Sequence, residues 1–274
     1  HFLKAGEELG IQRNADINGD SQVGVCINQI TTRNGFRESA STAYLKPALS
    51  RSNLKIITHA HVSRVLFENR KAVGIEYLQD GIKLSVRANR EVILSAGSIN
   101  TPQILQLSGV GPGQVLQKFN IPLVLESPAV GQNLQDHVTT VLIYKTHKIN
   151  DAMGFSLKGT WNMLKAMWEW RTQRTGWITS NVSETQGFVS TDGNTDYPNI
   201  QLALCTGIVD DHARKLHWGH GYTLHVTLMR PKSRGTLTLA SRNHMDKPLI
   251  DPAFFKHPDD INTLIAGTQL GLDI

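Results

Sequence analysis

The sequence predicts a mixed α/β (α+β) chain, and three observations carry that prediction. Residues 90–112, REVILSAGSINTPQILQLSGVGP, read as a strand running directly into a short helix through the turn Ala96-Gly97. Residues 54–88 form a β-rich stretch punctuated by two hairpin turns, in which Leu84, Val86 and Ala88 alternate with polar residues as on a half-buried strand. Beyond residue 138, the strand-like runs TTVLIYKTH, NIQLALCTGI, GYTLHVTLMRP and GTLTLASR accompany one long helical pattern. Two architectural parts follow, a mixed α/β piece and a largely antiparallel sheet with flanking helices.

Taken in order, HFLKAGEELGIQ is an amphipathic helical pattern without the marks of a signal peptide or targeting segment. TTRNGFRESASTAYLKPALSRSN reads as a loop carrying a helix around Ser41–Leu45, broken at Pro47. Strands are expected at 54–58, 61–68, 71–78 and 82–88, with Asn69-Arg70 and Asp80-Gly81 as hairpin turns. Leu84, Val86 and Ala88 alternate with polar residues along the last of these. Residues 91–95 have a continuous apolar centre, as in a parallel strand buried on both faces. Thr101 and Pro102 suit the N-cap and first position of a helix running to Leu107, and Gly109 suits its stop. In SLKGTWNMLKAMWEWRTQ, Trp161, Leu164, Met167 and Trp168 recur at helical spacing and read as a packing face. The final DDINTLIAGTQLGLDI is a helical pattern without a polar tail, and both ends together read as a piece of a longer protein.

A chain of 274 residues, 40% hydrophobic, has enough apolar surface for one large core or two smaller ones. Its formal charge of +5 is scattered without a block of like charges, which argues against a nucleic-acid partner. No apolar run approaches the ~20 residues of a membrane span. Cys26 and Cys205 stand far apart, as two thiols or one disulfide. DDHARKLHWGHGYTLH holds His212, His217, His220 and His225 without zinc-ligand spacing, so it reads as a polar loop between strands and no metal is expected.

The strand-to-helix corner is where chemistry is expected. Such a turn, at the carboxyl end of a buried strand, is a standard ligand position in α/β folds. Gly97 lacks a β-carbon, so a flat or charged group can approach the backbone there, and the helix N-terminus favours an anion. Tight packing of protein against the corner is the competing reading.

The exact residues extend the argument. GSINTPQILQLSGVG at 97–111 resembles the second signature of the glucose–methanol–choline (GMC) oxidoreductases at every constrained position. The resemblance continues through HVSRVLFENRKAVGIEY at 61–77, VGQNLQDH at 130–137 and RPKSRGTLTLASRNHMDKPLIDPAFFKHPDD at 230–260, in family order. TTRNGFRESASTAYLKPA also matches in kind, and the nearest flavour is the insect glucose-dehydrogenase-like branch. The resemblance implies part of an FAD-binding Rossmann-like domain followed by a substrate domain with a mainly antiparallel sheet. On that basis residues 1–53 form a connecting helical segment, 54–137 a partial FAD-binding domain and 138–274 a substrate-binding domain. The implied reaction is oxidation of the CH–OH group of an alcohol or sugar by hydride transfer to flavin.

The same resemblance assigns site residues. Val62 corresponds to a valine contacting adenine through its backbone, and Ala96 and Gly97 pass close to the adenosine side of FAD. Asp136 and His137 fall in the segment returning towards the flavin and the substrate domain, and Glu184 in a region facing the substrate cavity. Read without the family, Val62 is an ordinary strand residue, Asp136-His137 a turn with a capping aspartate, and Glu184 a surface carboxylate. The family's Gly-x-Gly-x-x-Gly fingerprint does not occur in this sequence, since GVGPG at 109–113 has the wrong spacing. None of the eleven histidines matches the family's base motif, which is expected beyond Ile274, so no catalytic residue is assigned. A non-catalytic binding or scaffold protein retaining the fold is the alternative. The electron acceptor stays open, and the sequon Asn181-Val182-Ser183 is a pointer towards secretion.

Overall fold

A computed structural model describes residues 1–147, 152–194 and 196–274, with the side chain of His212 outside the description. Its contacts divide the chain into two compact units, each built from separated stretches. His1–Leu54, His137–Lys232 and His257–Ile274 form a large-sheet unit, and Lys55–Asp136 with Ser233–Lys256 form a meander unit. The contacts thus cut across the three contiguous stretches expected from the sequence, because residues 233–256 fold with 55–136.

The chain opens in the large-sheet unit with helix α1 (Phe2–Glu8) and strand β1 (Gly24–Ile27). A short hairpin of β2 (Thr32–Arg33) and β3 (Phe36–Arg37) turns through Asn34 and Gly35, at φ 51° and 71°. Ser41–Leu45 forms a π-helical turn that runs straight into α2 (Lys46–Ala48). The break expected at Pro47 does not occur. Pro47 instead lies within the continuous helical stretch, which ends just after it at Ala48.

The meander unit begins with β4 (Ala60–Glu68), β5 (Lys71–Gln79) and β6 (Ile82–Arg87), paired antiparallel in that order. Asn69 and Arg70 have φ 48° and 66°, and Asp80 and Gly81 have φ 50° and 78°, so both predicted two-residue hairpin turns form. The strands expected at 54–58 and 91–95 do not form, since both stretches run outside any strand ladder. Ile93 is 75% exposed, because no described strand lies alongside to pair the backbone and cover the apolar run. Helix α3 (Gly97–Leu107) starts at the corner itself, earlier than Thr101-Pro102 suggested. Pro102 therefore sits inside the helix, removing one backbone donor but leaving the helix continuous. Ser108 caps the end and Gly109 follows at φ 86°, as its sequence position predicts. Beyond it, β7 (Val110–Gly111) pairs in parallel with β8 (Leu125–Glu126) across α4 (Gly113–Lys118).

The large-sheet unit resumes with β9 (Thr139–Thr146), β10 (Gly154–Phe155), α5 (Leu157–Gln173), β11 (Ser183–Val189), β12 (Ile200–Cys205) and β13 (Gly219–Leu228). Its six-stranded sheet runs β1-β11-β12-β13-β10, with β9 also on β13, and every pairing is antiparallel. Val25, Ile200, Leu202 and Val226 are wholly buried between this sheet and the helices, with Phe2 and Leu264 against them. The run GTLTLASR does not join this sheet. It supplies β14 (Thr236–Thr238), which pairs with β15 (Leu249–Asp251) inside the meander unit.

Helix α6 (Pro258–Asp273) closes the large-sheet unit, and two glycines let it approach the strands. A β-carbon at Gly267 would stand 2.5 Å from Cδ1 of Ile200, and one at Gly271 would stand 2.9 Å from Cγ2 of Val226. Both cysteines are free thiols, so the disulfide alternative falls, and burial pushes each thiol up in pKa. The described residues do not pack against the aromatic stripe of α5, contrary to expectation: Trp161, Leu164, Met167 and Trp168 are 59%, 53%, 52% and 67% exposed. The helix is anchored instead by buried Ala166 and by Trp170, whose Nε1 donates to the Gly35 carbonyl at 2.7 Å. These lie on the opposite side of the helix, so the stripe points away from the unit.

Candidate functional site

The corner bounds a cavity of about 490 Å³ within the meander unit. One wall is the unpaired stretch 91–96 and the other is the meander, with Ile104 of α3 between them. Val62 and Ala96 both line this cavity, brought together from different elements. Gly97 stands beside it at φ 83°, and a β-carbon there would meet nothing within 4 Å. Glycine suits this backbone conformation, and the described residues leave the space above it open. No side chain caps the start of α3, which leaves the positive end of the helix dipole without a competing acceptor from its own cap.

Val62 owes its placement to an irregularity in the strand. The β4–β5 register shifts between Val62 and Arg64, pairing Val62 with Tyr77 and Arg64 with Glu76. Ser63 is the extra residue, and its hydroxyl donates to the Glu76 carbonyl at 3.1 Å and to the carboxylate at 2.9 Å. A bulge bends and twists the strand locally, and here it falls at the residue that reaches the cavity.

The polar side of the same bulge holds a charged cluster. Burial acts to raise the Glu76 carboxyl, but hydrogen bonds from Ser63 and Arg64 outweigh it and hold the group below the usual carboxylate range. The Arg64 guanidinium lies 3.0 Å from that carboxylate. His61 donates from Nε2 to the backbone carbonyl of His244 at 3.1 Å, and the two rings stand 5.2 Å apart. Burial, with the neighbouring His61 and Lys83, holds the His244 imidazole below its ordinary pKa.

Asp136 and His137 are exposed and lie outside any helix or strand, and neither lines the corner cavity. The chain just before them is fixed by Leu134 and Gly235, which exchange backbone hydrogen bonds at 3.0 and 2.8 Å. Glu184 is also exposed, but it borders a separate cavity of about 530 Å³ in the large-sheet unit. That cavity is lined by Phe2, Leu204, Thr206 and the stacked rings of Tyr144 and Tyr222, whose centroids are 5.1 Å apart.

The histidine-rich stretch is only partly a loop, because His220 and His225 lie on β13. His220 is buried, donating from Nδ1 to the Ala152 carbonyl at 2.9 Å and accepting at Nε2 from Ser156 Oγ at 2.7 Å. Ser156 in turn accepts from Gly159 N–H as the cap of α5, so the histidine braces a helix start. His217 pairs with Asp210 at 2.8 Å. Among the described residues no group of three or more His, Cys, Asp or Glu is placed to hold a metal, and no helix is long and apolar enough to cross a membrane.

Two residues that hold the corner escaped sequence reasoning. Ser108 Oγ accepts from the Val65 N–H at 2.8 Å, tying the end of α3 to β4. Gln106 is wholly buried and bonded to the backbone around Leu237. A glutamine between two leucines in a short helix was the available signal.

Family models described as GMC oxidoreductase match residues 1–139 and 231–274, together more than half of the chain. The chain belongs to the GMC oxidoreductase family. This GMC chain is 44% identical over 275 residues to an alcohol dehydrogenase [acceptor] of Pseudomonas putida, covering 98% of itself and 49% of that protein. It is 38% identical over 276 residues to the mitochondrial choline dehydrogenase of Mus musculus, covering 100% of itself and 46% of that protein. Among solved structures, a formate oxidase superposes with TM-score 0.87 at 23% identity, over 99% of this chain and 52% of that one. A pyridoxine 4-oxidase from Mesorbium loti gives TM-score 0.82 at 24% identity, over 99% and 49%. At such identities the two structures speak for the fold alone, a mixed α/β architecture with mainly antiparallel sheets. The GMC chain spans about half the length of the curated relatives it matches. Those relatives are bacterial and mammalian, and they lend no support to the insect branch.

Proposed function

We propose that this GMC chain is part of an FAD-dependent oxidoreductase that oxidises the CH–OH group of an alcohol. The observation that carries the reading is the corner, where Val62 and Ala96 line one cavity and Gly97 leaves the space beside it open. The residues present fit the adenosine side of FAD: a bulged strand offers Val62, and the glycine corner admits a flat group close to the backbone. The uncapped start of α3 favours an anionic group nearby. When bound, FAD supplies the redox chemistry by accepting hydride, while the protein supplies position and electrostatics.

Asp136 and His137 enter this reading as residues of the segment linking the two units, acting on the site through the course of the backbone. Glu184 is assigned to the substrate side, where a carboxylate bordering an aromatic cavity suits a polar or cationic alcohol. The relatives named as alcohol and choline dehydrogenases support that substrate class. Sugars stay in the proposal through the resemblance to the insect glucose-dehydrogenase-like branch.

The test uses the full-length protein containing these residues. Its visible absorbance is recorded, and reduction of a dye acceptor is followed with primary alcohols, choline and sugars. Flavin absorbance with turnover of at least one alcohol is expected. A colourless protein inactive on the whole panel would leave the non-catalytic scaffold as the better reading.

A further inference from the structure

Helix α5 presents the inverse of an ordinary surface helix. Its small and hydrogen-bonded residues, Ala166 and Trp170, face the protein, and its large apolar residues face outward. Leu157, Trp161, Leu164 and Trp168 succeed one another at intervals of four, three and four, so they form one continuous stripe. Their exposures are 90%, 59%, 53% and 67%. Just before the helix, exposed Phe155 bridges in parallel to Trp218, which is 78% exposed. Contiguous exposed apolar surface of this kind marks an interaction site rather than chance exposure.

Charge identifies what it meets. Lys158 and Lys165 lie on one flank of the stripe and Arg171 on the other, all three exposed. The Lys165 ammonium stands 5.7 Å from the Trp161 ring centroid, at the edge of the apolar face. The helix has a single acidic residue, Glu169, engaged by the Thr175 hydroxyl at 3.1 Å. Arg174 is not part of this belt, since it stacks on Phe36 and Trp170 on the packed side. Tryptophan and leucine outward, with cations at both margins, is the arrangement of a helix lying in a membrane interface. Lysines at the margin of such a face extend to the phosphate level while their stems stay on apolar surface. An apolar protein partner would not need cations on both flanks, whereas an anionic lipid surface uses them.

We propose that α5, with Phe155 and Trp218, docks the large-sheet unit onto an anionic lipid surface, lying in its interface without crossing it. The inference is independent of the flavin reading, since it uses neither the corner nor the Glu184 cavity. The experiment is co-sedimentation of the full-length holoprotein with phosphatidylcholine vesicles, with and without phosphatidylglycerol. Wild-type protein is expected to pellet with the anionic vesicles and to be released by salt. Trp161→Ser with Trp168→Ser should abolish pelleting, and Lys158→Gln or Lys165→Gln should each weaken it about fivefold. Flavin content and circular dichroism show whether the variants fold. Quenching of wild-type tryptophan fluorescence by brominated lipid needs no variant and is expected on anionic vesicles. Absence of quenching, equal binding to neutral vesicles, or full binding by a folded double variant would each overturn the proposal. So would a wild-type protein that stays in the supernatant and self-associates through the stripe.

Discussion

The buried side chain of Gln106 donates from Nε2 to the carbonyl of Leu237 at 3.1 Å, while its Oε1 accepts from the Leu239 N–H at 3.2 Å. One amide thus satisfies two backbone groups, one inside the short strand β14 and one just past its end, and it fixes α3 behind the corner. Replacing it by an apolar side chain of similar size strands both groups, at about 1–3 kcal/mol each. Gln106→Leu is expected to lower unfolding free energy by roughly 2–5 kcal/mol. Urea titration of the full-length protein checks this, and a midpoint equal to wild type in Gln106→Leu would remove the clamp from the account.

Gly97 tests the corner. At φ 83° any side chain is strained, at about 1–3 kcal/mol, yet nothing lies close enough for a β-carbon to strike. Gly97→Val is therefore expected to reduce flavin per folded protein more than it reduces soluble yield. Gly97→Ala should show the same order with a smaller loss of flavin. Normal flavin stoichiometry in the valine variant would place the cofactor elsewhere.

For Glu184, the cavity position predicts an effect on substrate without an effect on cofactor. Glu184→Gln should change KM for choline or another cationic alcohol by about tenfold, the scale of a lost charge-assisted contact worth ~1.5 kcal/mol. The flavin spectrum should not move. Kinetics identical to wild type across alcohols and sugars would return Glu184 to the solvent surface.

His244 predicts an acid-sensitive meander unit. Burial, His61 and Lys83 disfavour its protonation in the folded protein, so the unfolded chain binds that proton more readily. Stability is then complete above the ordinary histidine range and declines as pH falls through it. Chemical denaturation at pH values above and below that range should show a smaller acid loss in His244→Gln than in wild type. An equal loss in both would shift the acid sensitivity to other groups.

The legible part of the molecule is that written in local pattern. Turn residues predicted the hairpins of β4 to β6, and the positive-φ pairs at 69–70 and 80–81 bear this out. Leu84 and Val86, however, expected on a half-buried face, are 40% and 46% exposed because no described element packs over β6. The helix after the corner was legible too, although it starts at Gly97 and not at Thr101-Pro102 and no strand leads into it. What failed depends on neighbours that pattern does not name. The apolar run at 91–95 signals burial on both faces but cannot say which strands would supply it. The periodicity of α5 gives an apolar side but not its direction, and buried Ala166 shows that the smaller side faces inward. Gln106 between two leucines was a local signal, but its partners were not legible because they lie 131 and 133 residues downstream. The bulge at Ser63, which sets Val62 against the cavity, carries no turn residue to announce it.

The discontinuous build of the meander unit sets a clock on synthesis. Gln106 and Leu237 are separated by 131 residues, all of which must be translated before the amide can close on its partner. At about 5–20 residues per second, that interval lasts roughly 7–26 s. Throughout it, α3 and the three meander strands must wait on the ribosome without β14 and β15, while the strands of the large sheet emerge between them. A chaperone that shields the nascent corner would therefore act in a defined window, opening when residue 106 leaves the exit tunnel and closing with the arrival of residue 239.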